Sequence, residues 1–372
     1  MSERLPTILI TAGTRPEAIK VAPIIRLLRD QNWARVRVLA TAQHRDLLDQ
    51  VFTFFRITPD IDLNIMQPGQ TMAELTSRLI PAIDRTLDTE KPDIVLAQGD
   101  TTTVMTTALA CFYRRIPFGH IEAGLRTGDR YNPFPEEINR VIVSRLGDLH
   151  FSPTPRAKEN LVHEGVPEDS IHITGNSVID ALLWAAEQSD LPHGFEPEKG
   201  RRMILVTAHR RENFGEPLEE ICQAIADIAE ARDVDVLYPV HPNPNVMKTA
   251  RELLSDVPGV KLTQPLDYPS FVAAMKSAHL ILTDSGGVQE EAPSLGKPVL
   301  VLRDETERPE GIAAGNAVLV GPHRERIVST TLDLLDNPGI YQQMSAARNP
   351  YGDGRASHHI ADALKNYLLN WH

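Results

Sequence analysis

Short apolar runs alternate with amphipathic segments from one end of the chain to the other, and this most constrains the fold. Thr7-Ile8-Leu9-Ile10-Thr11 reads as a buried strand, and Pro16 to Asp30 as a helix with Pro16 at its first position. Val36 to Ala40, Asp93 to Ala97, Phe118 to Ile121 and Leu149 to Phe151 continue the strand series. His44 to Phe55, Thr102 to Arg114, Pro135 to Leu146, Pro155 to Glu164 and Ser177 to Glu187 are the helices around them. Strands that are apolar throughout, rather than alternating, are covered on both faces, so the sheet is parallel.

A polar stretch bearing proline and glycine, Ser189 to Gly200, interrupts the pattern and reads as a linker. A second series then follows: Met203 to Thr207, Val234 to Leu237, Val260 to Thr263, Leu280 to Thr283 and Val299 to Leu302. The expected fold is α/β, two Rossmann-like doubly wound domains with a cleft between them. The expected boundaries are residues 1–180 for the first domain and 181–355 for the second. A length of 372 residues accommodates two such domains.

Composition narrows the function. The 38 basic and 50 acidic residues give a formal charge of −12, the opposite of a nucleic-acid footprint. An acidic exterior still permits a locally basic pocket for a small anion. The two cysteines, Cys111 and Cys222, sit in separate apolar stretches without CxxC spacing and read as buried thiols of a reducing compartment. The stretch after Met1 has no apolar core of a signal peptide, and no run approaches the ~18 apolar residues of a membrane helix. A cytoplasmic protein with no membrane partner is expected.

In open α/β sheets ligands meet the carboxyl ends of the strands, so the segments just after each strand matter most. Gly13-Thr14-Arg15-Pro16-Glu17 enters a helix after the first strand, a turn suited to an anion, with Arg15 at its mouth and Lys20 one turn inside. Neither a Walker loop nor a GxGxxG follows any strand. Asp100, after Gln98-Gly99, is placed as a helix N-cap. Glu122 ends a strand beside glycine, and Glu136 and Glu137 open a helix whose dipole alone would favour them. Three acids on one side of a sheet fit proton transfer.

The second half supplies cations. His209-Arg210-Arg211 is the densest basic cluster after any strand, and His241 lies in a proline-stiffened loop. Ser285-Gly286-Gly287 forms a turn between a strand and a helix, a geometry suited to pyrophosphate, with Glu291 placed to accept ribose hydroxyls. Arg308 sits in a rigid loop further on. The 13 histidines are scattered without HExxH or comparable spacing, so no metal site is expected.

These segments resemble the non-hydrolysing UDP-N-acetylglucosamine 2-epimerases. The matching stretches are Gly13–Lys20, Ala42–Arg45, Gly99–Thr103, His120–Thr127, Pro133–Arg140, His209–Gly215, Asp284–Gly296 and Glu307–Glu310, in order across nearly the whole chain. The resemblance implies a GT-B-like fold, a C-terminal helix (residues 356–372) returning to the first domain, and a homodimer. It implies reversible conversion of UDP-GlcNAc to UDP-ManNAc through elimination of UDP, a 2-acetamidoglucal and re-addition, with no cofactor. Catalytic positions then fall on Lys20, Asp100, Glu122, Glu136 and His209. Substrate contacts fall on Arg15, Phe271 (uracil), Ser285, Gly286, Gly287, Glu291 and Arg308.

A second, activating UDP-GlcNAc site found in many bacterial members maps to Gln43, His44, Gln70, Arg210 and His241. The basic residue that some members carry before the second glutamine is absent from Gln67-Pro68-Gly69-Gln70. The competing readings are a GT-B glycosyltransferase, a hydrolysing epimerase and a non-enzymatic nucleotide-sugar sensor. The first shares the nucleotide site but does not require C2 deprotonation, and in the last the acid cluster would have no role.

Overall fold

A computed structural model of the chain describes residues 4–41, 45–67 and 69–369. Two compact units are present: Met1–Ala181 with Gly352–His372, and Leu182–Tyr351.

The first unit carries β1 (Thr7–Ala12), β2 (Arg35–Ala40), β3 (Ile61–Asp62), β4 (Ile94–Gln98), β5 (Phe118–Ile121), β6 (Leu149–Ser152) and β7 (Ile171–Ile173). Its helices are α1 (Arg15–Asp30), α2 (Arg45–Phe54), α3 (Met72–Glu90), α4 (Thr102–Arg114), α5 (Glu136–Leu146) and α6 (Pro155–His163). Next comes α7 (Ser177–Ala186), which runs across the boundary between the units. The second unit continues with β8 (Arg202–Thr207), α8 (Glu216–Ala231), β9 (Val234–Pro239), α9 (Pro244–Leu254), β10 (Val260–Thr263) and α10 (Tyr268–Ser277). It closes with β11 (Leu280–Thr283), α11 (Gly286–Glu291), β12 (Val299–Val301), α12 (Pro309–Ala314), β13 (Ala317–Leu319), α13 (Arg324–Asp336) and α14 (Pro338–Ser345). The last helix, α15 (Ala356–Leu369), packs against α1 of the first unit.

Every strand pair among the described residues is parallel. The first sheet has the order β3-β2-β1-β4-β5-β6-β7 and the second β10-β9-β8-β11-β12-β13. Counted from its own first strand, each follows the doubly wound order 3-2-1-4-5-6, with a seventh strand added at the edge of the first sheet, the arrangement expected from the continuous apolar runs. Ile8, Leu9 and Ile10 of β1 and Leu205 and Val206 of β8 are fully buried. Burial of each such side chain is worth about 1.5–3 kcal/mol, and this is why strands without polar alternation settle at sheet centres.

Winding reverses between β1 and β4 in one sheet and between β8 and β11 in the other. At such a point helices leave on opposite faces and a crevice opens beyond the strand ends. Both crevices hold the segments that the sequence singles out. Among the described residues no helix is long and apolar enough to cross a membrane. Cys111 and Cys222 are buried and free.

Candidate active site

In the first unit, Thr14 caps α1, and Glu17 closes a capping box with it. The helix begins at Arg15, one residue earlier than the proline suggests, and places Arg15 in the first turn with no hydrogen bond or ion pair to another described residue. The turn before it needs glycine: a Cβ on Gly13 would stand 2.5 Å from Thr103 Oγ1 and 2.6 Å from Thr41 Oγ1.

Lys20 reaches Glu122, Nζ to Oε2, at 2.5 Å. Gln98 Nε2 donates to the same oxygen. Glu122 adopts φ +65, a left-handed backbone that a non-glycine residue occupies at a cost and that often marks function.

Asp100 does not cap α4. The cap is Thr101, which has the extended backbone a cap requires and whose Oγ1 accepts from Val104 N at 3.4 Å. Asp100 is thereby released to pair with Arg140, at 2.8 Å from Nε and 2.7 Å from Nη2. Arg140 Nη1 also binds Glu137 at 3.0 Å. Glu137 in turn accepts the Thr127 and Gly128 amides, each at 3.0 Å. Glu136, at the start of α5, has no such partner among the described residues. The unit thus presents two carboxylates against cations, Glu122–Lys20 and Asp100–Arg140, and a third, Glu136, unattached.

Glu17, Glu137 and Arg140 were not singled out from sequence as site residues. Glu17 is buried and accepts from Gly13 N at 2.5 Å, Thr14 N at 2.9 Å and Thr101 Oγ1 at 2.5 Å. It thereby ties the turn bearing Arg15 to the turn bearing Asp100. Burial raises its carboxyl to about 7 against the opposing hydrogen bonds, with the Asp100 charge adding to the rise. The Thr14-Arg15-Pro16-Glu17 spacing is a capping-box signal that would have identified it.

In the second unit, Asp284 is completely buried after β11. Its Oδ2 accepts from His209 N at 2.7 Å, Arg210 N at 2.8 Å and Asn213 Nδ2 at 3.1 Å, which fixes the loop after β8. His209 stacks on His241 with ring centroids 5.5 Å apart and 13° between planes. Burial lowers the pKa of His209; the Asp284 carboxylate opposes this, while His241 and Arg210 add to it.

Ser285 precedes α11 without capping it by its side chain. The glycines have close neighbours: a Cβ on Gly286 would lie 3.8 Å from Arg210 Nη2 and 3.9 Å from Arg308 Cζ. Two guanidinium groups therefore flank the Ser-Gly-Gly turn. Arg308 is ion-paired with Glu290, another residue not marked from sequence. Glu291 and Phe271 are half-buried, Phe271 on α10. The Ser285 amide donates to Thr283 Oγ1 at 2.9 Å, which leaves the glycine amides at the start of α11, beside guanidinium groups, as the diphosphate cradle in chemical terms.

Gln43 and His44 lie outside the described residues. Gln70 accepts from Arg78 Nη2, and Gln67 Oε1 accepts from Arg78 Nη1 at 2.7 Å. Arg78 of α3 thus stands against both glutamines of the Gln67–Gln70 stretch. Among the described residues no three His, Cys, Asp or Glu side chains are grouped so as to hold a metal ion.

Two doubly wound units, one with acid–cation pairs at its switch point and one with an anion turn at its own, define a GT-B-like fold equipped for a nucleotide sugar. The family profile described as UDP-N-acetylglucosamine 2-epimerase matches residues 26–365, and the chain belongs to that family. A UDP-N-acetylglucosamine 2-epimerase of Escherichia coli K12 is 53% identical over 375 residues, covering 98% of this chain and 99% of its own. One from Bacillus subtilis is 51% identical over 354 residues, covering 95% and 93%. The crystal structure of the UDP-GlcNAc 2-epimerase of Neisseria meningitidis bound to UDP-GlcNAc is 46% identical, with a TM-score of 0.86 and coverage of 96% and 99%.

Proposed function

We propose that the protein interconverts UDP-GlcNAc and UDP-ManNAc by inversion at C2, eliminating UDP to a 2-acetamidoglucal and adding it back on the opposite face, without hydrolysis. The observation that carries the reading is the pair of separately held carboxylates, Glu122 on Lys20 and Asp100 on Arg140, at one switch point. Inversion needs acid/base groups that reach both faces of C2, and a single carboxylate cannot do that. Glu136, unattached at the head of α5, is the third candidate.

The C2 proton is weakly acidic, so its loss must be coupled to departure of a diphosphate whose charge is already compensated. Arg15 and Arg308 with the Gly286 and Gly287 amides take that part, joined by His209 when it is the imidazolium; the Ser285 amide already donates to Thr283 Oγ1. Phe271 packs on the uracil and Glu291 accepts the ribose hydroxyls. Gln43, His44, Gln70, Arg210 and His241 remain assigned to a second UDP-GlcNAc site, with Arg78 supplying its cation. A homodimer is also proposed. Phe112 and Tyr113 at the end of α4, 61% and 65% exposed, and Ile138 and Ile142 on the neighbouring α5 support it as an apolar face.

The test is incubation with UDP-GlcNAc alone in D2O, followed by NMR of the sugar. Deuterium at C2 in a mixture of UDP-GlcNAc and UDP-ManNAc is expected. Unchanged substrate overturns the reading, and free ManNAc accumulating with UDP assigns the hydrolysing reaction instead.

A further inference from the structure

We propose that Asp284 is a positioning residue for His209, holding the imidazole with Nδ1–H toward its carboxylate so that Nε2 is the ring atom presented to a ligand. This rests on the reading above only in placing His209 at the site. Asp284 has no solvent exposure, and its two oxygens are used differently. Oδ2 is saturated by three N–H donors, two from the backbone of the loop and one from Asn213. Asn213 is itself fixed, because its Nδ2 also donates to Leu302 O at 3.1 Å. Oδ1 has no hydrogen-bond partner and stands 3.5 Å from His209 Nδ1.

A buried carboxylate oxygen without a donor is costly, and the imidazole is the donor beside it. Only Nδ1–H meets that need; a bare Nδ1 would set two lone pairs against each other. The stack on His241 limits ring rotation from the other side. Asp284, His241 and Arg210 are the titratable or charged groups acting on the ring, and Asp284 alone among them accepts a hydrogen bond as an anion. The same residue leads into Ser285-Gly286-Gly287, so one buried carboxylate sets both the imidazole and the start of the anion turn.

The substitution Asp284→Asn separates this role from a purely structural one. The three donors around Oδ2 force the amide oxygen into that position, so the –NH2 faces His209 Nδ1. The three hydrogen bonds survive while the preferred tautomer inverts, placing the proton on Nε2. With 15N-labelled histidine, the wild-type His209 signal should show Nδ1 protonated, and D284N should show Nε2 protonated; H209Q identifies the signal by its loss. Turnover of UDP-GlcNAc by D284N should fall by about 10²–10⁴-fold, as when an orienting aspartate elsewhere is made neutral, while the Kd for UDP stays within about threefold.

An unchanged tautomer in D284N, or turnover within about threefold of wild type, overturns the proposal. If D284N does not fold, the wild-type spectrum decides alone, since an Nε2-protonated His209 contradicts the assignment. Failure of wild type to epimerise UDP-GlcNAc would sink the proposed function and leave the tautomer measurement intact.

Discussion

Glu17 shows how one side chain can serve helix and site together. Its unfolded carboxyl ionises near 4.5, whereas in the folded chain it keeps its proton up to about 7. Between those values the folded state binds more protons than the unfolded one, so stability declines as pH rises through that window. At 1.36 kcal/mol for each tenfold change in the ionisation constant, the fully buried group loses about 3 kcal/mol. Glu17→Gln imitates the protonated acid, with its carbonyl toward the Gly13 and Thr14 amides and its –NH2 toward Thr101. Urea unfolding at pH 5 and 7.5 should show this loss in wild type and a flatter response in the variant. Equal slopes in the two proteins would remove Glu17 from the titration. The residues legible in sequence are those next to strand ends, because position alone marks them. Those that escaped notice act through partners distant in sequence, such as Arg140 on Asp100 and Asp284 on the loop of His209. Such pairs become visible only when strand order sets β4 beside β5 and β8 beside β11.

Among elements, length decided what could be read for strands but not for every helix: the 19-residue α3, with Pro81 in its interior, is not among the helices read from sequence. The long apolar strands and their helices follow from periodicity to within a residue or two, as with α4 at Thr102–Arg114. The two-residue β3 and three-residue β7 and β13 are too short to carry a period. A helix's end can likewise depend on a residue far away. Helix α15 is capped from α7: Asp180 accepts the Ala356 amide at 3.2 Å and the Ser357 amide at 2.8 Å. Burial raises the Asp180 carboxyl and the hydrogen bonds work against that rise, which marks a carboxylate held by its donors. Asp180→Ala removes the cap and should cost about 1–2 kcal/mol. The loss should appear first as faster hydrogen exchange in the amides of α15. Unchanged protection there would show that packing on α1 alone holds the helix.

At the scale of the whole molecule, the chain leaves its first unit once and returns once, so the second unit is a single continuous stretch, Leu182–Tyr351. All strands of its sheet lie within that stretch, and so does a core built from Ile204, Val206, Ile221, Ile225, Val236, Leu282 and Leu300. Its last residue, Tyr351, is buried with its hydroxyl accepting the Gly311 amide at 3.1 Å, a contact internal to the unit. The first unit is discontinuous, because α15 returns to it from the far end of the sequence. A fragment of residues 182–351 should therefore fold cooperatively, whereas residues 1–181 alone lack the helix that covers α1 and should be much less stable. The proposed nucleotide contacts Phe271, Ser285, Gly286, Gly287, Glu291 and Arg308 all belong to the continuous unit, and only Arg15 does not. Calorimetric titration of the fragment with UDP should give a Kd within about tenfold of the intact protein, a difference of about 1.4 kcal/mol that the loss of one guanidinium contact can explain. A folded fragment with affinity weaker by more than about 100-fold would mean that the anion turn and the Arg308 guanidinium do not constitute the nucleotide site. The diphosphate would then depend chiefly on the first unit's switch point and Arg15.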